Sequence, residues 1–481
     1  MIRENKTPGY ITVYLSLSLL IMLSFIFTLI EGIRLQTIRF QTECVMDMGL
    51  NSIFAEYNRE LYKQYGLFGI DTSYGSEDVD KNRTGMHLLQ YMNMNFTAPG
   101  SGRIPGYKDL TAVHADNVSL SDVSYLSDGG GTVLKYQIIQ YMKEKSGLSL
   151  LDPYLPDDPG DFEGIFDGLE GERNDNHGII DEILKMLNEA RAEDEDEISI
   201  SNPADHIDGM RASPLLAMAV KNSSDISGDY VDPASYISHR GYEEGAGLRE
   251  DQSAPDGVTD KILFQMYLQD MCGDFMEKKE GSALSYQLEY LLYGKGSDLE
   301  NLEEFAKQLF MIRYVVNTAY LFSSGIRQAE AAELAAAVTA GIAQPQLFEA
   351  VKITILFAWC YAESVQDLRI LFDGNKAATV KSDPTWNIEL SELLMFTSCL
   401  DSYSEAPDGK TYEDYLKALL FIKNEDTLRM RLMDLMEMDI RMTPGNRHFK
   451  IDSCIYQLQA EVNVSSKYGS GYTIKRRYSY E

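Results

Sequence analysis

Five cysteines and six histidines are the residues best able to hold a metal or act as nucleophiles, and their spacing supports neither role. Cys44, Cys272, Cys360, Cys399 and Cys454 are widely scattered with no CxxC pair, so neither a zinc site nor a disulfide framework is indicated. Cys360 lies in the apolar run ILFAWCYAE, where a small buried hydrophobe is the simpler reading. A disulfide between distant residues such as Cys272 and Cys399 stays open, and the odd count leaves at least one free thiol unless chains pair. His87, His114, His177, His206, His239 and His448 form no HExxH and no pair at helical ligand spacing. Gly129-Gly130-Gly131 precedes a helix, but it lacks the Lys-Ser/Thr of a phosphate loop and the GxGxxG spacing, so it reads as a loop into an N-capped helix. No G-x-S-x-G elbow occurs. Glu289 and Lys295, in QLEYLLYGKGSD, are explained equally well by an ion pair or a helix cap and receive no catalytic role. The expectation is a chain with no catalytic, cofactor or metal residues, and not an enzyme.

Composition points the same way. A formal net charge of −31 argues against nucleic acid, whose phosphates require clustered Lys and Arg, and against lying flat on an anionic lipid surface. A hydrophobic content of 44% is ordinary for a chain that buries a core. Thirty tyrosines suit cores, strands and contact surfaces alike.

The element that positions everything else is at the start. Tyr10 to Ile30, YITVYLSLSLLIMLSFIFTLI, is a 21-residue run without a charge, and as a helix it spans roughly 30 Å, the thickness of a bilayer's hydrocarbon core. It is too long for an ordinary signal peptide and flows into a helix instead of a small-residue cleavage site. From Gly32 to Gln64, Leu35, Ile38, Val45, Met48, Phe54, Tyr57 and Leu61 recur at roughly helical spacing, with Gly49 and Gly66 the expected weak points. Arg3 and Lys6 against Glu4 in the leader, and the large acidic remainder, favour an N-terminus inside and an ectodomain outside.

A short polar leader ending in Gly9, an apolar helix, then Glu31-Gly32 and Arg34 and an amphipathic continuation resemble a class III prepilin signal. The stretch GYITVYLSLSLLIMLSFIFTLIEGIRLQTIRFQTECVMDMGLNSIFAEY is similar to the TadE/TadG-like pseudopilins of Tad (Flp, tight-adherence) pilus systems. The whole chain, including YGLFGIDTSYG and LSYQLEYLLYGKGSDLENL, resembles a domain-of-unknown-function family of single-pass Gram-positive proteins that accompany such pilus genes. The resemblance implies a prepilin-type processing junction at Gly9 and Tyr10, and partners among pilin-like or pilus-assembly proteins. In one respect the chain departs from it: pilins carry a Glu at the fifth mature position, and cleavage after Gly9 puts Tyr14 there.

The expected organisation follows the chain. A leader (1–9), a transmembrane helix (10–30) and an amphipathic stalk helix (31–65) precede a small α+β region (66–150). Residues 151–257, rich in Asp, Glu, Gly and Pro, read as a solvated linker or insertion; no D-x-[DN]-x-[DN]-G-x5-E loop supports the alternative of calcium. Residues 258–440 read as a helical bundle, in which Ser297 begins a capping box with Glu300 and Ile353–Ala362 is a buried core helix too short to span a membrane. Residues 441–481 read as a C-terminal β-hairpin turning at Tyr468-Gly-Ser-Gly and packing on the ectodomain. The fold class is therefore α+β. The expected role is a membrane-anchored, outward-facing structural or assembly component of a Tad-like pilus or secretion apparatus, held in the lipid bilayer through Tyr10–Ile30 and self-associating through its stalk. An adhesin-like binding module is the alternative, and an anchored extracellular enzyme the weaker one.

Overall fold

The computed structural model describes residues 8–96, 111–146, 215–250, 252–341 and 344–480. The leader's first seven residues and most of the acidic stretch, including the short helix read in IIDEILKMLNEA, lie outside them. The chain divides into two compact units: residues 1–137, 242–254 and 443–481 form one, and residues 138–241 and 255–442 the other.

The first unit is built on α1, Pro8–Phe54, a helix of 47 residues. From Ile38 onward it buries Ile38, Thr42, Val45, Met46, Leu50 and Ile53, the three-and-four spacing of one helical face. Chain entry to α2, Arg59–Tyr65, is set by Asn58, whose side chain accepts from the backbone N–H groups of Glu60 and Leu61, both at 3.1 Å. Thus the stalk helix breaks after Phe54. Gly49 lies within it: a Cβ there would approach Leu88 Cδ1 to 2.9 Å and Met92 Cγ to 3.1 Å. The glycine permits close packing by α3, Lys81–Phe96, so Gly49 marks a contact and not a weak point. Gly66 does end a helix, in the left-handed conformation at φ 69°.

Against α1 and α3 lies a four-stranded antiparallel sheet of β1 (Ile70–Asp71), β2 (Val113–Tyr125), β3 (Cys454–Ser466) and β4 (Gly471–Ser479). β3 is central, with β2 along one side and β1 and β4 along the other. Val462 stands opposite Val118 on one neighbour and Ile474 on the other. The core of this unit joins α1 residues 38–54 to Leu88, Met92 and Phe96 of α3 and to Leu458, Ala460, Val462 and Val464 of β3. Both ends of the chain therefore build one hydrophobic core.

The unit division falls within α4, Asp128–Ser146, which opens with Gly129, Gly130 and Gly131 all at positive φ. Three consecutive left-handed residues demand glycine. The Asp128 carboxylate accepts from the N–H groups of Tyr125, Gly245 and Gly247 at 2.7–3.0 Å, so the glycine run serves a loop clasp within the first unit.

The second unit is helical: α5 (Leu215–Ala219), α6 (Val258–Met271), α7 (Gln287–Tyr293), α8 (Asp298–Ser323), α9 (Gly325–Gly341), α10 (Phe348–Phe372), α11 (Phe396–Cys399), α12 (Tyr412–Ile422) and α13 (Glu425–Arg441). Ser297 caps α8 by accepting from Glu300 N at 3.2 Å. Ile353–Ala362 lies inside α10, where Leu356, Trp359, Cys360 and Ala362 are buried, as a soluble core helix requires. The stretch from Tyr412 to Leu435 is two helices, because Asn424 caps a new one by accepting from Thr427 N. The chain is thus α+β, with an apolar N-terminal helix and a closing strand pair.

Candidate functional site

The stalk and the sheet beside it form the feature most open to a functional reading. Pro8 begins α1, where its missing N–H leaves no bond unmade. The Gly9–Tyr10 bond lies in this first turn, and the Tyr10 side chain is 82% exposed. Of the described helices, α1 is the one long and apolar enough to cross a membrane, with none of its most apolar window buried. Its hydroxyls are satisfied locally: Ser16, Ser18 and Thr28 donate to the carbonyls of Val13, Leu15 and Ser24 at 2.8–3.0 Å. Lipid demands such closure, since it offers no hydrogen-bond partner. Tyr14 is exposed as well.

One turn beyond Ile30 the helix becomes charged and meets the sheet. Arg34 donates to both Glu31 oxygens, Nε at 2.9 Å and Nη2 at 2.7 Å, and its Nη1 donates to Ser466 Oγ at 3.3 Å. The hydrogen bonds from Arg34 hold the Glu31 carboxyl below its usual range. The Arg34 guanidinium also lies 5.4 Å from the Tyr468 ring centre, and that of Arg39 lies 5.9 Å from Tyr472. β4 then follows α1 upward. Arg476 pairs with Asp47 at 3.4 Å, Tyr478 donates to Asn51, and Tyr480 donates to the Phe54 carbonyl at 2.8 Å. The Phe54 ring packs on Tyr478 and Tyr480 at centre distances of 4.7 and 4.8 Å.

At the far end of α1, Glu56 accepts from Tyr91 at 2.6 Å and Tyr74 at 3.1 Å, and lies 2.9 Å from His87 Nδ1. Burial pushes the Tyr74 phenol up, and the Glu56 carboxylate adds to the effect. This cluster ties the stalk's end to α3. His114 pairs with Asp116 at 2.9 Å on β2, and His177 and His206 lie outside the described residues. Among the described residues no group of three or more His, Cys, Asp or Glu side chains could hold a metal.

The second unit buries two groups of charges. In one, Arg313 of α8 donates to Asp367 of α10 at 3.0 Å and to Tyr415 at 3.1 Å; Asn317 and Lys381 donate to the same carboxylate at 2.9 and 2.7 Å. Lys381 also meets Glu363, which accepts from the backbone N–H groups of Asn387 and Ile388. Burial alone would raise the Asp367 carboxyl, but Arg313 and Lys381 overcome it and hold it below its usual range. Two cations face two anions, a closed set that fixes α8, α10 and residues 381–388 together. The other group is Glu289 of α7, fully buried, which accepts from Phe275 N at 3.0 Å and from the Tyr412 hydroxyl. Burial, then the negative charge of Asp274, push its carboxyl up to about 8. Lys295 takes no part: Asn301 brackets its backbone at 2.8 and 3.0 Å.

Sequence reasoning missed Glu56, whose partners lie 18 to 35 residues further along the chain, and the seating of the β3–β4 turn on Arg34, which depends on pairing across the length of the chain. The signal within reach was the alternation in YTIKRRYSY beside a helix carrying Asp47 and Asn51.

Residues 193–466, more than half of the chain, match the model described as "Family of unknown function (DUF5702)". The matched stretch stops short of α1 and includes most of the helical unit and β3. No curated protein and no solved structure matches.

Proposed function

Because the chain belongs to the DUF5702 family, whose function is unknown, we propose a role from its own physics: a membrane-anchored, outward-facing structural or assembly component, resembling a minor pseudopilin, of a Tad-like pilus or secretion apparatus. One observation carries this reading. A single 47-residue helix has a bare apolar half, and its other half packs on an antiparallel sheet in one hydrophobic core. The bare half suits lipid and the packed half is built into the core of the first unit. The mechanism is physical: the span holds the subunit, and the exposed side of the stalk, with Ile33, Leu35 and Phe40, packs beside pilin-like helices or a second copy. The N-terminus lies in the cytoplasm and the units outside, as the acidic bulk and basic leader favour.

Gly9 supplies a prepilin-type junction, while Tyr14 withholds the acid that a polymerising pilin carries, so a platform or passenger suits the chain better than the main subunit. The reading requires no catalysis, cofactor or metal. N-terminal sequencing of the protein recovered from membranes tests it: a start at Tyr10 establishes pilin-type processing, and a start at Met1 makes the helix a permanent anchor. Recovery of both folded units in the cytoplasm would overturn the reading altogether.

A further inference from the structure

We propose that the β3–β4 turn, residues 467–470, held at the level of Arg34, is a second membrane contact that seats the first unit on the lipid headgroup layer. The proposal depends on the reading of Tyr10–Ile30 as the bilayer span. Arg34 stands four residues beyond Ile30, about 6 Å along a helix, and each headgroup layer is about 5–7 Å deep. The turn is held at that level: Arg34 Nη1 donates to Ser466 Oγ at 3.3 Å and its guanidinium lies 5.4 Å from the Tyr468 ring centre.

The direction of β4 agrees. Tyr472 lies beside Arg39, Arg476 beside Asp47 and Tyr478 beside Asn51, so β4 climbs away from the span as α1 does. The turn before it is consequently the part of the sheet nearest the bilayer. It is also tightly built. Gly469 takes φ 86°, Ser466 N donates to Ser470 O at 2.8 Å, and Lys467 N donates to the Ala112 carbonyl at 3.1 Å at the start of β2.

The residue types suit a headgroup layer. Tyr468 is 53% exposed and Lys467 is exposed. Tyrosine and long cationic side chains are the anchors enriched at membrane interfaces, with an apolar body inward and a polar tip in water. The acids nearby are already engaged: Glu31 by Arg34, and Asp116 by Ser465 and His114. The occupant is a lipid headgroup surface, because the turn continues the level reached by the span's own end. With two contacts, the tilt of α1 is set by the protein and the sheet cannot swing on its stalk.

The test is depth measurement on the full chain in phosphatidylcholine vesicles. Cys44→Ser and Cys399→Ser remove the accessible thiols, leaving Cys272, Cys360 and Cys454 buried. A nitroxide is then placed at Tyr468→Cys or Lys467→Cys, at Ile21→Cys in the span, and at Met86→Cys, a 58% exposed site on α3. Collision with oxygen should dominate at position 21, collision with a water-soluble nickel chelate at position 86, and positions 467 and 468 should fall between. Positions 467 and 468 as accessible to the chelate as position 86, with position 21 still buried, would overturn the seat and spare the span. Dipolar broadening between labels at 468 would assign the turn to a neighbouring copy and also overturn it. Water access at position 21 would remove the span reading itself.

Discussion

Replacing Glu289 with Gln should flatten a pH dependence that this carboxyl imposes on the helical unit. Burial and the charge of Asp274 raise its pKa from the ordinary 4.5 to about 8. The folded state therefore holds the proton more tightly than the unfolded chain. Stability from this group is whole below the unfolded value and is lost as pH rises to about 8. At about 1.4 kcal/mol per pH unit, the loss between about pH 5 and pH 9 is roughly 4 kcal/mol. A Gln side-chain oxygen can accept from Phe275 N and the Tyr412 hydroxyl as Oε1 does, without a proton to lose. Both tryptophans, Trp359 and Trp386, are buried in the helical unit, so their fluorescence follows its unfolding in guanidinium while the full chain stays in nanodiscs. The difference in unfolding free energy between the Gln variant and the wild type should grow by about that amount over the same range, with other titrations cancelling. A pH-independent difference would refute the reasoning and make Glu289 a solvated carboxylate.

Three further outcomes follow from particular contacts. Arg313→Met should destabilise the helical unit by about 3–5 kcal/mol in the same unfolding assay, because Asp367 keeps only Lys381 as a cation. Gly49→Val should cost about 1–3 kcal/mol by forcing α3 away, whereas Gly32→Ala, with nothing within 4 Å, should not lower the circular-dichroism melting temperature. Cys272 and Cys360, whose thiols burial pushes up to about 12, should react with a chromogenic disulfide only after unfolding.

The local grammar of this chain was readable where neighbours in sequence decide the outcome. Ser297 caps α8, Gly294 ends α7 in the left-handed conformation, and the alternation before and after Tyr468-Gly-Ser-Gly does form antiparallel strands. Readings failed where a distant residue decides. Gly49 looks like a helix breaker until α3 is laid against it. Within the small α+β region, only Ile70 and Asp71 of YGLFGIDTSY pair, because β4 occupies the rest of that side of β3. Gly129 to Gly131 read as a loop into a helix, and the use of that loop becomes visible only with Asp128 holding Gly245 and Gly247, over a hundred residues away. The apolar helix was legible because its length and apolarity are properties of one continuous segment. Its second half was less so, since α1, α3 and β3 share a core assembled from both ends of the chain.

The central claim is that α1 crosses the membrane and carries the folded units outside. Cys44 tests it most directly: it is exposed, it lies on α1, and it stands fourteen residues beyond Ile30, about 21 Å along the helix. In a Cys399→Ser background, a membrane-impermeant maleimide applied to intact cells should label Cys44 fully, with no gain on permeabilisation. Labelling that appears only after the membrane is opened would contradict the account.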